Sequence, residues 1–303
     1  MRKIFIPGET TYDIIFKNEK PVESRVGGSQ LNTAVSLGRC KLPVQFISQI
    51  SNDRVGKIST GFLVENGVDI EHVQRYEGNS RVALAYLDNQ GDADYIFFKA
   101  TGTPNLVFPN PKEDDIVLFG SSFATRENVR ENLLSFLVSA KNNGAIIIYD
   151  PNFRPSGLSK LESLKPLIIE NIKLSTIIKG SDEDFKHIFN SGSFDDTCNQ
   201  LTSLGVHYLF YTAGKNKVEV LHDLNKFHFP VPPIKTLSTI GAGDNFNAGL
   251  IYSLYKQNIL KNNLSQLHTP ALINVAEMAT RFAQQVCIQW DNYISADFAR
   301  AIR

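Results

Sequence analysis

The chain has 303 residues, 42% of them apolar, and its 31 basic side chains are balanced by 31 acidic ones. The apolar share is enough for a packed core. The zero net charge excludes a global attraction to nucleic acid or to an anionic membrane, so any anionic ligand must be held by a local site.

Cys40, Cys198 and Cys287 lie far apart, with no CxxC or other metal-ligand spacing. They read as free thiols in a reducing compartment. The histidines form no HExxH pattern, so no zinc site is expected. The first apolar run stops at Pro7-Gly8, too early for a secretory leader. No run approaches membrane-spanning length. A cytoplasmic protein is the expectation.

In chain order, Lys3–Ile6 predicts a short strand that stops at Pro7-Gly8. Glu9 and Asp13 follow, in front of Ile14-Ile15-Phe16. An acid at such a place is either a turn residue or a ligand for hydroxyls. Asp13–Lys17 and Pro21–Arg25 predict two short strands around the turn Asn18-Glu19. Gly27-Gly28 then precede a helix with the apolar face Leu31, Ala34, Val35 and Gly38. Ser29 fits as its N-terminal cap. Asn32 falls off the apolar stripe, free to meet a ligand at the helix start. Taken alone, the glycine pair reads first as an ordinary turn.

Val44, Phe46, Ser48 and Ile50 alternate as a strand, and a helix follows over about 56–66 with Gly67 as its stop. Arg81–Leu87 and Tyr95–Phe98 predict a hairpin around Asn89-Gln90-Gly91-Asp92. With the earlier pair, this hairpin predicts a small separate sheet. From Ile116 onward the pattern is strand, turn and helix. Strands fall at Ile116–Phe119, Ala145–Tyr149, Ser175–Lys179 and Tyr208–Thr212, and helices at Asn128–Lys141 and Asp182–Phe189. Continuous apolar strands with helical crossovers predict a parallel sheet covered on both faces. Ligands of such sheets collect at the strands' carboxyl ends. Pro230–Pro233 reads as an edge segment, and Lys256–His268 as a surface loop.

The most informative stretch is Ser238–Gly249. Gly241 and Gly243 flank Ala242, and Phe246, Leu250 and Leu254 recur at helical spacing. This is a tight turn opening a helix, where free N–H groups and the dipole attract an anion. Asp244 sits in the first helical turn. It reads either as a helix cap or as a base that deprotonates a hydroxyl attacking a bound phosphoryl group. No GxxxxGK[ST] loop and no strand-linked GxGxxG occur, so a Walker-type kinase and a Rossmann dehydrogenase are disfavoured.

These motifs together resemble the ribokinase-like, PfkB-type carbohydrate kinases. Gly27–Ala34, Asp150-Pro151-Asn152-Phe153-Arg154 and Gly241–Gly249 match in order, and the likeness runs from Gly8 to about Trp290. It implies a ribokinase-like three-layer α/β fold with a mostly parallel central sheet. A small β-sheet lid would come from about 12–26 and 81–99, with one domain over 1–303. It implies a kinase that uses ATP and Mg2+ on a monosaccharide, most simply a fructose-like sugar. By that likeness Asp13, Gly28, Asn32, Arg81 and Asn152 face the sugar. Asp244 is the base, and the backbone at Gly241, Ala242, Gly243 and Asp244 is the anion hole. Arg154, Lys179, Thr212 and Gly214 contact the nucleotide, and Asp184 the metal.

The sequence departs from the family pattern at several positions. Ser238 replaces an Asp of the family's monovalent-cation site, which argues against potassium activation. Ser181–Asp184 replaces an Asn-x-x-Glu motif. Lys217 replaces a glycine, and Thr280, Arg281, Gln284 and Gln285 alter the adenine-side helix. The alternatives are a kinase for 2-keto-3-deoxygluconate, ribose or a nucleoside, and a weakly catalytic sugar- or nucleotide-binding relative. Arg81 is either a lid-surface charge or a contact for an acidic or phosphorylated substrate. Exposed lid strands predict a homodimer.

Overall fold

The structure is a computed structural model that describes residues 2–87, 93–101, 106–214 and 216–303. The chain enters through β1 (Ile4–Pro7) and leaves for a hairpin of β2 (Thr11–Lys17) and β3 (Lys20–Gly27). It returns through α1 (Ser29–Arg39), β4 (Val44–Ser51), α2 (Arg54–Glu65) and β5 (Val73–Tyr76). A second hairpin, β6 (Val82–Leu87) and β7 (Ala93–Phe98), follows. The turn expected at Asn89–Asp92 lies outside the described residues. Regular alternation begins with β8 (Ile116–Gly120), α3 (Glu127–Asn142), β9 (Ile146–Asp150), α4 (Leu161–Leu174) and β10 (Ile177–Ser181). It continues with α5 (Asp182–Phe189), α6 (Phe194–Ser203) and β11 (Tyr208–Ala213). Strands β12 (Lys217–His222) and β13 (Asn225–Pro230) close the sheet, and α7 (Ala242–Lys256), α8 (Thr269–Cys287) and α9 (Ala296–Ala301) end the chain.

The large sheet has the order β13-β12-β11-β10-β9-β8-β1-β4-β5. Its pairings are parallel except at β11–β12 and β12–β13, which are antiparallel. Both faces are covered. Ile4, Ile6, Ile116, Leu118, Ile146 and Ile148 face one core with α1, α7 and α8. Their chain neighbours Phe5, Val117, Phe119, Ile147 and Tyr149 face a second core with α3, α4, α5 and α6. That two-sided burial is why these strands read as unbroken apolar runs. The small sheet has the order β3-β2-β6-β7. Its two hairpins join through a parallel pairing of β2 with β6.

Two local expectations change. The segment after α7 is not a plain surface loop: Lys261–Gln266 forms a 3-10 turn, and Ile259 and Leu264 are buried. Ser29 does not cap α1. Gly28 holds the cap position without a side-chain bond, and the Ser29 hydroxyl points elsewhere. Among the described residues no helix is long and apolar enough to cross a membrane.

Candidate active site

The turn before α7 is built around Gly241, whose φ of 79° lies in the left-handed region. A β-carbon there would also stand 2.7 Å from the Asn292 carbonyl oxygen, so glycine is required twice over. The Ala242 N–H donates to the Thr239 carbonyl at 3.2 Å. The N–H groups of Gly243 and Asp244 carry no hydrogen bond among the described residues. Of the Ala242, Gly243 and Asp244 N–H groups expected to form an anion hole, those of Gly243 and Asp244 are therefore the free donors among the described residues.

Asp244 is buried, and it does not cap its own helix. Its Oδ1 accepts a hydrogen bond from Ser29 Oγ at 2.5 Å and its Oδ2 one from Asn32 Nδ2 at 2.8 Å. Thr33 Oγ1 donates to the Asp244 carbonyl oxygen at 2.8 Å. The first turn of α1 and the first turn of α7 thus meet through one carboxylate, which both helix dipoles favour. Asn152, at φ 40°, turns its Nδ2 to within 3.0 Å of Ser29 Oγ. Asn tolerates that left-handed backbone better than most residues. Asn32, Asn152 and Asp244, read separately from the sequence, come together. Ser29, read as a cap, is the hydroxyl that joins them.

Beneath the turn lies a buried charged pair. Lys179 Nζ is 3.1 Å from Asp150 Oδ2, and both side chains are almost wholly buried. Asn247 Nδ2 donates to the same oxygen at 2.6 Å. A methyl group on Gly243 would stand 3.0 Å from Lys179 Nζ. Lys179, on β10, therefore sits under the Gly241–Asp244 turn. Burial works against its ammonium, but Asp150, Asp184 and Asp244 outweigh burial and hold its pKa above the ordinary lysine value. A fixed cation next to free helix N–H groups favours a phosphoryl group there.

Asp184, expected to contact the metal, has both carboxylate oxygens engaged by neighbouring groups. Its Oδ2 accepts from the Ser181 N–H and hydroxyl, both at 2.7 Å, and its Oδ1 from the Phe153 N–H at 2.6 Å. It caps α5 and ties the loop after β9 to the start of that helix. Among the described residues no group of three His, Cys, Asp or Glu side chains is placed to hold a metal. Arg154 is exposed and stands outside the buried cluster. Thr212, next to last in β11, lies opposite Ser181, and Gly214 follows the strand with φ 52°.

On the other side of α1, Gly28 has φ 132°, and a side chain there would collide with the Glu9 carbonyl oxygen. Asp13, on β2, packs against Gly27, where a β-carbon would stand 2.7 Å from its Oδ2. No hydrogen-bond donor reaches its carboxylate from the described residues. Burial pushes its pKa up to about 6, with Arg25 opposing. Asn32 Oδ1 is buried and also unpartnered among the described residues. Arg81 is not a free surface charge. It forms a two-pronged ion pair with Glu9, at 3.0 and 2.8 Å, and Arg126 joins the same carboxylate.

The small sheet also reaches the α7 turn. Arg25 donates to the Trp290 carbonyl oxygen and, at 3.4 Å, to Asn292 Oδ1. The Asn292 carbonyl oxygen accepts from Asn245 Nδ2 at 2.8 Å, and that amide also donates to the Gly241 carbonyl at 2.8 Å. Arg25, Arg126, Asn245 and Asn292 were not legible as site residues. The partners that tie each of them to another segment lie far off in the chain, and no local spacing marks those contacts.

The family model described as pfkB family carbohydrate kinase matches residues 1–286. The aminoimidazole riboside kinase of Salmonella typhimurium is 23% identical over 263 residues, which are 85% of this chain and 82% of that protein. A fructokinase of Rhizobium leguminosarum bv. trifolii is 26% identical over 276 residues, 88% of this chain and 84% of that one. Among solved structures, a double mutant of the Vibrio cholerae O395 fructokinase with fructose, ADP and potassium ion superposes with a TM-score of 0.86. It is 17% identical, covering 99% of this chain and 98% of that one, and so speaks for the fold.

Proposed function

The chain belongs to the pfkB family of carbohydrate kinases, and from that premise we propose that it transfers the γ-phosphoryl group of ATP to a hydroxyl of a monosaccharide. A fructose-like sugar is the first acceptor to test, since named fructokinases are among its relatives. Asp244 takes the proton of the attacking hydroxyl. The Gly243 and Asp244 N–H groups, the α7 dipole and Lys179 neutralise the charge of the incoming phosphoryl group. Asp13, Gly28, Asn32 and Asn152 hold the acceptor, and Thr212, Gly214 and Arg154 border the nucleotide. The unpartnered Asp13 carboxylate and Asn32 Oδ1 support this, because sugar hydroxyls would give both a donor.

The observation that carries the proposal is the single carboxylate of Asp244. It is held between the first turns of two helices, with a buried lysine under the neighbouring glycine. Magnesium enters with ATP as part of the substrate complex, and Asp184 orders the loop beside it. Ser238 supplies no carboxylate for a monovalent cation, so turnover without potassium is expected. The small sheet serves as a lid that excludes water from the transfer. A homodimer through its exposed Val22, Ile96 and Phe98 and a cytoplasmic location complete the reading.

The test is coupled ADP release over a panel of sugars, with Asp244→Asn as control. Equal rates in the variant remove the base. A second acceptor class, ribosides, is favoured by the aminoimidazole riboside kinase relative, and the same panel decides between them. Nucleotide binding without turnover on any acceptor would instead mark a binding protein.

A further inference from the structure

Glu9, Ser48, Tyr76, Arg81, Phe123 and Arg126 line a cleft at the carboxyl ends of β1, β4, β5 and β8. None of Asp150, Asn152, Lys179 or Asp244 lines it. It borders the acceptor residues instead, because the Glu9 carbonyl packs on Gly28 and Asp13 follows four residues later on β2. The cleft therefore lies toward the end of an acceptor that is remote from the transferred phosphoryl group.

Its charges do not balance. Arg81 and Arg126 share the one carboxylate of Glu9, and all three side chains are about three-quarters buried, at 24%, 27% and 22% exposed. The other charged groups around Tyr76 are Asp53 and Arg75. Asp53 is used up by Gly56 and Ser80, and Arg75 by Asn52, Thr60 and the Ser51 carbonyl. Three arginines thus face two carboxylates, and a guanidinium does not shed its proton to relieve the excess. Burial pushes the Arg126 pKa down, with Glu9 opposing and Arg81 adding to the fall. Ser48 Oγ, fully buried in the wall of the same cleft, has no hydrogen-bond partner among the described residues. Arginines in excess of carboxylates and a spare hydroxyl donor in the walls of one cleft suit an oxyanion. The Phe123 ring, 5.4 Å beneath the Arg126 guanidinium, fixes its plane.

We propose, on the basis of the sugar-kinase reading, that this cleft is a specificity subsite for an acceptor bearing a carboxylate or phosphate at the end remote from the phosphorylated hydroxyl. Arg126 is its principal cation, Arg81 the second, and Ser48 a hydroxyl donor. Glu9 bridges the two guanidiniums and leaves one net positive charge for the ligand. A neutral sugar leaves that charge unanswered.

The test uses the full chain and three acceptors: a hexose, its 6-phosphate and the matching hexuronate. Binding is read by calorimetry and turnover by ADP release with MgATP. The expected result is that at least one anionic acceptor binds about tenfold or more tighter than the hexose, the size of one charge-assisted hydrogen bond. The two anionic arms separate phosphate from carboxylate. Arg126→Met removes the preference, and Arg126→Lys restores part of it. Equal or undetectable binding of both anionic forms overturns the proposal, whether or not ADP is released. Tight anionic binding that never leads to ADP release leaves the subsite standing and sinks the kinase reading instead.

Discussion

The two halves of the site differ in how complete they are without a ligand. On the side of α7, β9 and β10, each buried charged group among the described residues already has a partner: Lys179 with Asp150, Asp150 with Asn247, Asp184 with Ser181 and Phe153, Asp244 with Ser29 and Asn32. On the side of the small sheet, Asp13 lacks a donor, Asn32 Oδ1 and Ser48 Oγ are orphaned among the described residues, and the arginines are in excess. A phosphoryl-transfer centre gains from being rigid before the reaction, since its dipoles then need no reorganisation. An acceptor pocket gains from being incomplete, because an unmet polar group penalises every ligand that fails to satisfy it.

The largest expected effect breaks the complete half. Asp244→Asn keeps the shape of the side chain and removes the base, so kcat falls by about 10²–10⁴, while thermal denaturation moves little. Wild-type turnover in that variant would mean the acid does not handle the proton. Next, Lys179→Met leaves Asp150 buried without its cation. Chemical denaturation should give a loss of about 3–5 kcal/mol, the range for breaking a buried pair from one side. A loss below about 1 kcal/mol would show that Asn247 alone satisfies Asp150.

The incomplete half responds in the opposite direction. With its folded pKa raised from 3.8 to about 6, Asp13 costs the fold nothing when protonated at low pH. The cost begins as pH rises past the unfolded value and is complete above about 6. Asp13→Asn should therefore stabilise the protein above pH 6, by about 1–2 kcal/mol after discounting for its partial exposure, and change nothing near pH 3. The same variant should raise the acceptor KM at pH 8, and wild-type KM should rise as pH falls through 6. A KM flat between pH 5 and 8 would detach Asp13 from the acceptor. The smallest effect is expected for Ser29→Ala, about 0.5–1.5 kcal/mol in stability for one hydrogen bond. If Ser29 steadies Asp244, kcat should drop several-fold while nucleotide affinity holds.

The three layers and the small second sheet were legible because burial on both faces, or on one, leaves a period in the residues themselves. The glycine turn at 241–243 was legible for the same local reason, since a left-handed φ admits few residue types. The Ser29 hydroxyl was misread by the same logic. A serine at a helix start is usually a cap, and nothing within a few residues reveals that its partner, Asp244, lies 215 positions away. Arg126 was invisible, because a 3-10 turn after β8 has no pattern that points to Glu9, 117 positions earlier.

Sequence alone settled the two-sided cover of the large sheet and the place of the glycine turn that opens α7 with Asp244 in its first turn, because backbone geometry and hydrophobic period are short-range properties. Tertiary structure decided which side chains share a carboxylate, which N–H groups stay free, and where charge is left over. Those depend on through-space distances between segments that the chain brings together only when both cores have formed.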